Sequence, residues 1–185
     1  SPSTHRFWSS LTAEEKKDQA RRMQIYAAMI DRVDQNIGKL VAKIKELGEE
    51  ENTLILFASD NGCSAENVNT GTGDVGTITR WASLQKDWAN VSNSPFRFWK
   101  NLSHEGGIRT PFIAYWPQVI RNKGSLNHQP VHFVDVMATV REITGASYPD
   151  SFKGQSVVPL QGESLLPALK GGKLPPRKKP IFFEY

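Results

Sequence analysis

One cysteine, Cys63, stands in the 185 residues, so the chain can form neither an internal disulfide nor a cysteine-rich zinc site. Long apolar runs are missing too. The longest, such as Leu54 to Ala58, falls far short of the ~20 residues that a membrane-spanning helix needs. Charge of one sign is barely in excess, at 23 basic against 19 acidic residues, a net +4 and a pI near 9.2. The basic residues are scattered except for Arg177-Lys178-Lys179, whereas nucleic-acid binders concentrate them on one face with aromatics interleaved. Neither nucleic acid nor a membrane is an expected partner. What is present, 38% hydrophobic and 23% charged residues with 14 Gly and 11 Pro, is ordinary globular composition and excludes disorder, collagen and coiled coil. A mass of 20.7 kDa is one domain's worth of chain, enough to bury a core.

The pattern along the chain is α/β. Thr12 to Leu47 reads as one long helix opened by a Thr12–Glu15 capping box. Met23, Tyr26, Ala27, Ile30, Val33, Ile37, Leu40, Val41, Ile44 and Leu47 recur at helical spacing and predict a buried stripe closed by Gly48. Asp34 interrupts that stripe, so it is expected to be buried and partnered. Thr53 to Ser59 is a continuous apolar run, which predicts a strand buried on both faces of a parallel sheet. Residues 62–93 have no clear period and read as a long, functional loop. Phe112 to Trp116 predicts a second buried strand, Val134 to Thr144 a helix stopped by Gly145, and Glu163 to Leu169 a short helix. The apolar Ile181-Phe182-Phe183 reads as a strand just before Tyr185, and the chain opens at Ser1 with no Met and no leader-like pattern, so it is expected to be cut at both ends.

Two clusters carry chemistry. Asp60-Asn61-Gly62 ends the first predicted strand, and open α/β sheets bind ligands outside such strand ends. A carboxylate beside an amide carbonyl offers hard oxygen donors suited to calcium or magnesium. An Asx turn closing the strand is the competing explanation. Lys100, His104, Glu105, Gly106, Gly107 and Arg109 precede the second strand. A lysine ammonium suits an oxyanion, and paired glycines admit close backbone approach, although a surface lysine and a simple turn also explain them. His5, His128 and His132 lack the spacing of metal ligands.

Longer segments point further. Tyr26-Ala-Ala-Met-Ile-Asp-Arg-Val-Asp-Gln-Asn-Ile-Gly38, Asn52-Thr-Leu-Ile-Leu-Phe-Ala-Ser-Asp-Asn-Gly62, Asn93-Ser-Pro-Phe-Arg-Phe-Trp-Lys100 and His104-Glu-Gly-Gly-Ile-Arg-Thr-Pro-Phe-Ile-Ala-Tyr-Trp-Pro117 resemble, in order, the sulfatase family in its bacterial arylsulfatase branch. Trp88-Ala-Asn90, Phe133-Val-Asp-Val-Met-Ala-Thr139 and Leu160-Gln-Gly-Glu-Ser-Leu-Leu-Pro167 are similar to further family segments. The resemblance implies an alkaline-phosphatase-like α/β sandwich, mainly a parallel sheet flanked by helices. It also implies calcium-dependent hydrolysis of sulfate esters, aryl or carbohydrate, with magnesium as the alternative ion. On the matching positions it makes Asp60 and Asn61 metal ligands and Lys100 the contact to sulfate. His104 is near enough in sequence to face the same pocket and is a second catalytic candidate.

The family's formylglycine motif, Cys/Ser-x-Pro-Ser/Ala-x-Arg, is absent from the chain. Ser1-Pro2-Ser3-Thr4-His5-Arg6 has the wrong register, and Cys63 is not followed by Pro at the required place. Residues 1–185 are therefore expected to be the C-terminal portion of a sulfatase catalytic domain, inactive alone, with the formylglycine supplied upstream. Self-association through uncovered sheet edges is expected of such a piece, and by analogy a periplasmic or secreted location. The rival readings are a non-catalytic binding or assembly module and a phosphoesterase of the same superfamily.

Overall fold

The protein is described by a computed structural model covering residues 5–182. These residues form two compact units, one of residues 5–48 and 56–113, the other of residues 49–55 and 114–182. The architecture is mixed α/β, with three two-stranded sheets among the described residues.

In the first unit a 3-10 turn at Trp8–Ser10 leads into α1, Ala13–Glu46. The capping box forms as expected: Glu15 N–H donates to Thr12 Oγ1 at 3.2 Å, and Thr12 N–H to Glu15 Oε2 at 2.8 Å. Glu14 and Glu15 in the first turn and Lys43 and Lys45 in the last complement the helix dipole. The predicted stripe, however, is not buried. Leu47 is 63% exposed, Leu40 59%, and Ile30 and Val33 are close to half exposed. The side-chain hydrogen bonds from α1 to the rest of the unit come from its first turns: Arg21 Nε donates to Val75 O and Arg22 Nη1 to Ser83 O. Met23, Tyr26, Ile37, Val41 and Ile44 are half-buried, and the rest of the stripe is exposed. For the same reason Asp34 is exposed, not buried and partnered. Arg22 is the buried charge on this helix, held by Asp18 at 2.7 Å as well as by Ser83.

The segment expected to be a long loop holds short regular elements. β2 (Asn69–Gly71) and β3 (Arg80–Ala82) form an antiparallel hairpin with Thr70 opposite Trp81, and α2 follows at Gln85–Ser92. Its Gly- and Thr-rich composition hid strands of three residues, too short to show alternation. β1 (Ile55–Ala58) pairs with β4 (Phe112–Tyr115). The expectation of burial on both faces fails here, since Phe57 is 45% and Ile113 56% exposed. Successive side chains of a strand face opposite ways, and only one face of this pair is covered. A short helix, α3 at Glu105–Ile108, precedes β4.

The second unit holds α4, Val134–Thr144, ended by Gly145 as predicted. A small hairpin, β5 (Ser151–Phe152) with β6 (Gln155–Ser156), had no sequence signal. α5 spans Leu166–Leu169, shorter than expected. Ile181 and Phe182 form no strand, and the rest of that run lies outside the described residues. Ala138, Leu165 and Leu169 form the apolar core of this unit around two fully buried polar residues, Asp135 and Thr139. Asp135 accepts from the Arg177 guanidinium and from the amides of His132 at 2.8 Å and Glu163 at 2.9 Å. Thr139 Oγ1 donates to Asp135 O and accepts from Leu165 N–H at 2.8 Å.

Candidate active site

All four predicted site residues lie in the first unit, on two segments that touch. Asp60, Asn61 and Gly62 leave the end of β1 in a turn held from both sides. Thr110 Oγ1 donates to Ser59 O at 2.8 Å, and Ser59 Oγ to Asn61 O at 2.8 Å. Asn61 Nδ2 donates to Gly62 O at 2.8 Å. The amide nitrogen is thus engaged while Oδ1, a hard oxygen, has no donor among the described residues. The Asp60 carboxylate beside it is exposed and has no ion pair among the described residues.

Glycines bring the second segment against this turn. Gly62 N–H donates to Gly107 O at 2.9 Å, and a Cβ on Gly62 would stand 1.7 Å from Gly106 O. No side chain fits there. Gly62→Ala is therefore expected to destabilise the protein by about 3 kcal/mol or more. Gly38→Ala, whose Cβ meets nothing within 4 Å on the α1 surface, should instead stabilise by up to about 1 kcal/mol. Urea unfolding of the two variants checks the contrast, and equal effects would contradict the close approach.

Lys100 is fixed at the same place. Its N–H donates to Cys63 O at 3.1 Å, and Cys63 N–H to Asn93 Oδ1 at 2.9 Å. Asn93 Nδ2 donates in turn to Phe98 O, and Phe98 N–H to Asn90 Oδ1 at 3.1 Å. Two asparagines at the end of α2 therefore stitch the Asp60 turn to the Lys100 segment. Sequence reasoning assigned them no role, since an asparagine's partners cannot be read from spacing. The Lys100 ammonium lies 3.2 Å from Glu66 Oε1. Hydrogen bonds from Lys100 and then Ser64 hold the Glu66 carboxyl below its usual range. Glu66 had no sequence signal either.

His104 starts α3, exposed, with its ring 4.5 Å from that of Phe98, which is itself buried. Glu105 and Arg109 are engaged with each other at 3.1 Å, and Arg109 also lies over the Phe96 ring. Cys63 is half-buried beside Tyr26, whose phenol is pushed up by burial and then by the neighbouring Cys63 sulfur. Asp60 and Asn61 suit calcium or magnesium by donor type. No group of three or more His, Cys, Asp or Glu residues able to hold a metal occurs among the described residues, whereas calcium takes six to eight oxygens. Asp60 and Asn61 place two hard-oxygen side chains on a turn that is bonded to the Lys100 segment.

Comparison with known proteins points to one family. The family model described as Sulfatase matches residues 2–146. The arylsulfatase of Klebsiella aerogenes is 33% identical over 172 residues, which is 85% of this chain and 37% of that protein. The N-acetylgalactosamine-6-sulfatase of Canis lupus familiaris is 31% identical over 158 residues, 85% of this chain and 25% of its own length. The steryl-sulfatase of Mus musculus is 30% identical over 146 residues, 79% of this chain and 20% of its own length. The chain thus spans little more than a third of these relatives at most. With its sheets and helices consistent with part of an alkaline-phosphatase-like domain, the chain belongs to the sulfatase family.

Proposed function

We propose that residues 1–185 are the C-terminal part of a sulfatase catalytic domain whose parent enzyme hydrolyses sulfate esters, aryl or carbohydrate, with a divalent cation. The observation that carries this reading is the fixing of Lys100 beside the Asp60-Asn61 turn by Lys100 N–H to Cys63 O and Gly62 N–H to Gly107 O. Asp60 and Asn61 Oδ1 would hold the cation, calcium by resemblance. A bound cation offsets charge on the sulfate and on the departing oxygen. The Lys100 ammonium binds a sulfate oxygen and stabilises the charge that builds there. To do so it exchanges Glu66 for the substrate anion. His104, its ring steadied on Phe98, is the second catalytic candidate. The nucleophile, a formylglycine by resemblance, belongs to sequence outside this chain, and the periplasmic or secreted location is carried by the same resemblance.

The isolated 185-residue chain is accordingly expected to show no turnover of 4-nitrophenyl sulfate with calcium present, and the parent enzyme to show it. Release of 4-nitrophenolate by the purified chain would overturn the division of the site. Its absence from the parent enzyme would overturn the reading itself.

A further inference from the structure

Cations far apart in the sequence of the second unit meet at one cleft. It has a volume of about 630 Å³ and lies between residues 120–129 and 168–173. Arg121, Lys170 and Lys173 line it, with Asn122, Asn127 and His128. No carboxylate is among its lining residues. Those three cations make no side-chain hydrogen bond or ion pair among the described residues. The carboxylates of residues 114–182 are Asp135, Glu142, Asp150 and Glu163. Asp135 is taken by Arg177, Glu163 accepts from Lys178 N–H, and none of the four lines the cleft.

The cleft is also built. Gln129 Nε2 donates to Leu174 O at 3.2 Å and Leu174 N–H donates to Gln129 Oε1 at 3.0 Å, a two-bond clasp joining its walls. Gly172 N–H donates to Pro167 O at 2.9 Å, and Ser125 Oγ to Asn122 O at 2.8 Å. Like charges held together in a fixed frame repel unless an anion offsets them, and a preformed frame lowers the ordering cost of binding one. The volume is that of a ligand site. No Phe, Tyr or Trp side chain lines it, so it lacks the large aromatic platform on which single-stranded nucleic acid stacks. The neutral amides of Asn122 and Asn127 match hydroxyl groups instead.

We propose that this cleft binds a sulfated oligosaccharide, its sulfates on Arg121, Lys170 and Lys173 and its hydroxyls on the neighbouring amides. The site goes beyond the proposed hydrolysis and uses none of its residues. Fluorescence anisotropy of a labelled chondroitin sulfate hexasaccharide against the 185-residue chain tests it. Binding is expected, weakening as salt rises. R121Q and the pair K170Q/K173Q should each weaken it, together by about fivefold or more. The charge-matched pair K17Q/K39Q, on exposed positions of α1, should leave it unchanged. Circular dichroism confirms that each variant is folded. The proposal is overturned by absent binding, by equal weakening in K17Q/K39Q, by equal binding of the desulfated hexasaccharide, or by tighter binding of an oligothymidylate of matching length. K170Q/K173Q should leave 4-nitrophenyl sulfate turnover by the parent enzyme intact, which keeps this result separate from that of the hydrolase reading.

Discussion

Arg177→Ala is expected to lower the stability of the second unit by about 3–5 kcal/mol, because it strands a buried charge. Asp135 is 0% exposed, and its carboxylate meets the guanidinium through both oxygens, with Nη1 to Oδ1 at 3.0 Å. Burial pushes the Asp135 carboxyl up, but the guanidinium and then the Glu163 and His132 amides outweigh it and hold it below the ordinary value of 3.8. The Arg177 guanidinium is in turn held more firmly protonated, first by that hydrogen bond. A carboxylate with a lowered folded value adds stability that is full above the ordinary value and is lost as pH falls through the lowered one. The wild-type second unit should therefore lose stability below about pH 4. In Arg177→Ala the anion keeps only its amide donors, so the deficit is greatest near neutral pH and shrinks as acid protonates the group. Since domains are stable by only about 5–15 kcal/mol, the variant loses a large share of its stability and should unfold at a lower temperature than the wild type. Urea unfolding of the 185-residue chain, followed by circular dichroism at several pH values, reads this. A loss below about 1 kcal/mol, or one independent of pH, would mean that the pair is no clasp.

Lys100→Ala in the parent enzyme is expected to cut kcat/KM for an aryl sulfate on the order of 10²–10³-fold. A unit charge about 4 Å from an oxyanion, at an effective dielectric near 20, is worth about 4 kcal/mol, which is that range. The main-chain bond to Cys63 O fixes the backbone of Lys100 whatever its side chain, so the fold should survive and the loss should be chemical. Lys100→Arg should recover only part, because a planar fork replaces a point charge. Glu66→Gln should behave in the opposite sense. It leaves the ammonium in place and removes the carboxylate 3.2 Å away that competes with substrate, so KM should fall with kcat little changed. A loss below about tenfold for Lys100→Ala would place the sulfate elsewhere.

The local signals in the sequence translated well into local structure. Thr12 with Glu15 gave the helix start, Val134 to Thr144 with Gly145 gave α4, and the run Phe112 to Trp116 gave β4 to within one residue. Each depends on neighbours in the chain, where periodicity and capping act. Burial was less legible. The stripe of α1 and the outward face of β1 read as core because apolar spacing says which residues share a face, not whether anything lies against it. Asp34 was misplaced by the same inference. Short hairpins such as β2–β3 escaped because three residues hold too little alternation to see.

The site divided along the same line. Asp60, Asn61 and Lys100 stood out from residue type and position, and the fold brings their segments together through Gly62 and Gly107. The stitching by Asn90 and Asn93, the Glu66 partner and the Asp135–Arg177 clasp are contacts between residues distant in sequence. So is the cationic cleft, whose arginine and lysines look scattered along the chain. No spacing rule reaches such contacts.

The most direct test of the central claim is the kcat/KM of the parent enzyme for 4-nitrophenyl sulfate and 4-nitrophenyl phosphate, each measured before and after chelation of divalent cations. Sulfate turnover well above phosphate turnover, lost on chelation and restored by calcium, is the predicted result. Preference for phosphate, or sulfate turnover indifferent to chelation, would contradict the roles given to Lys100, Asp60 and Asn61.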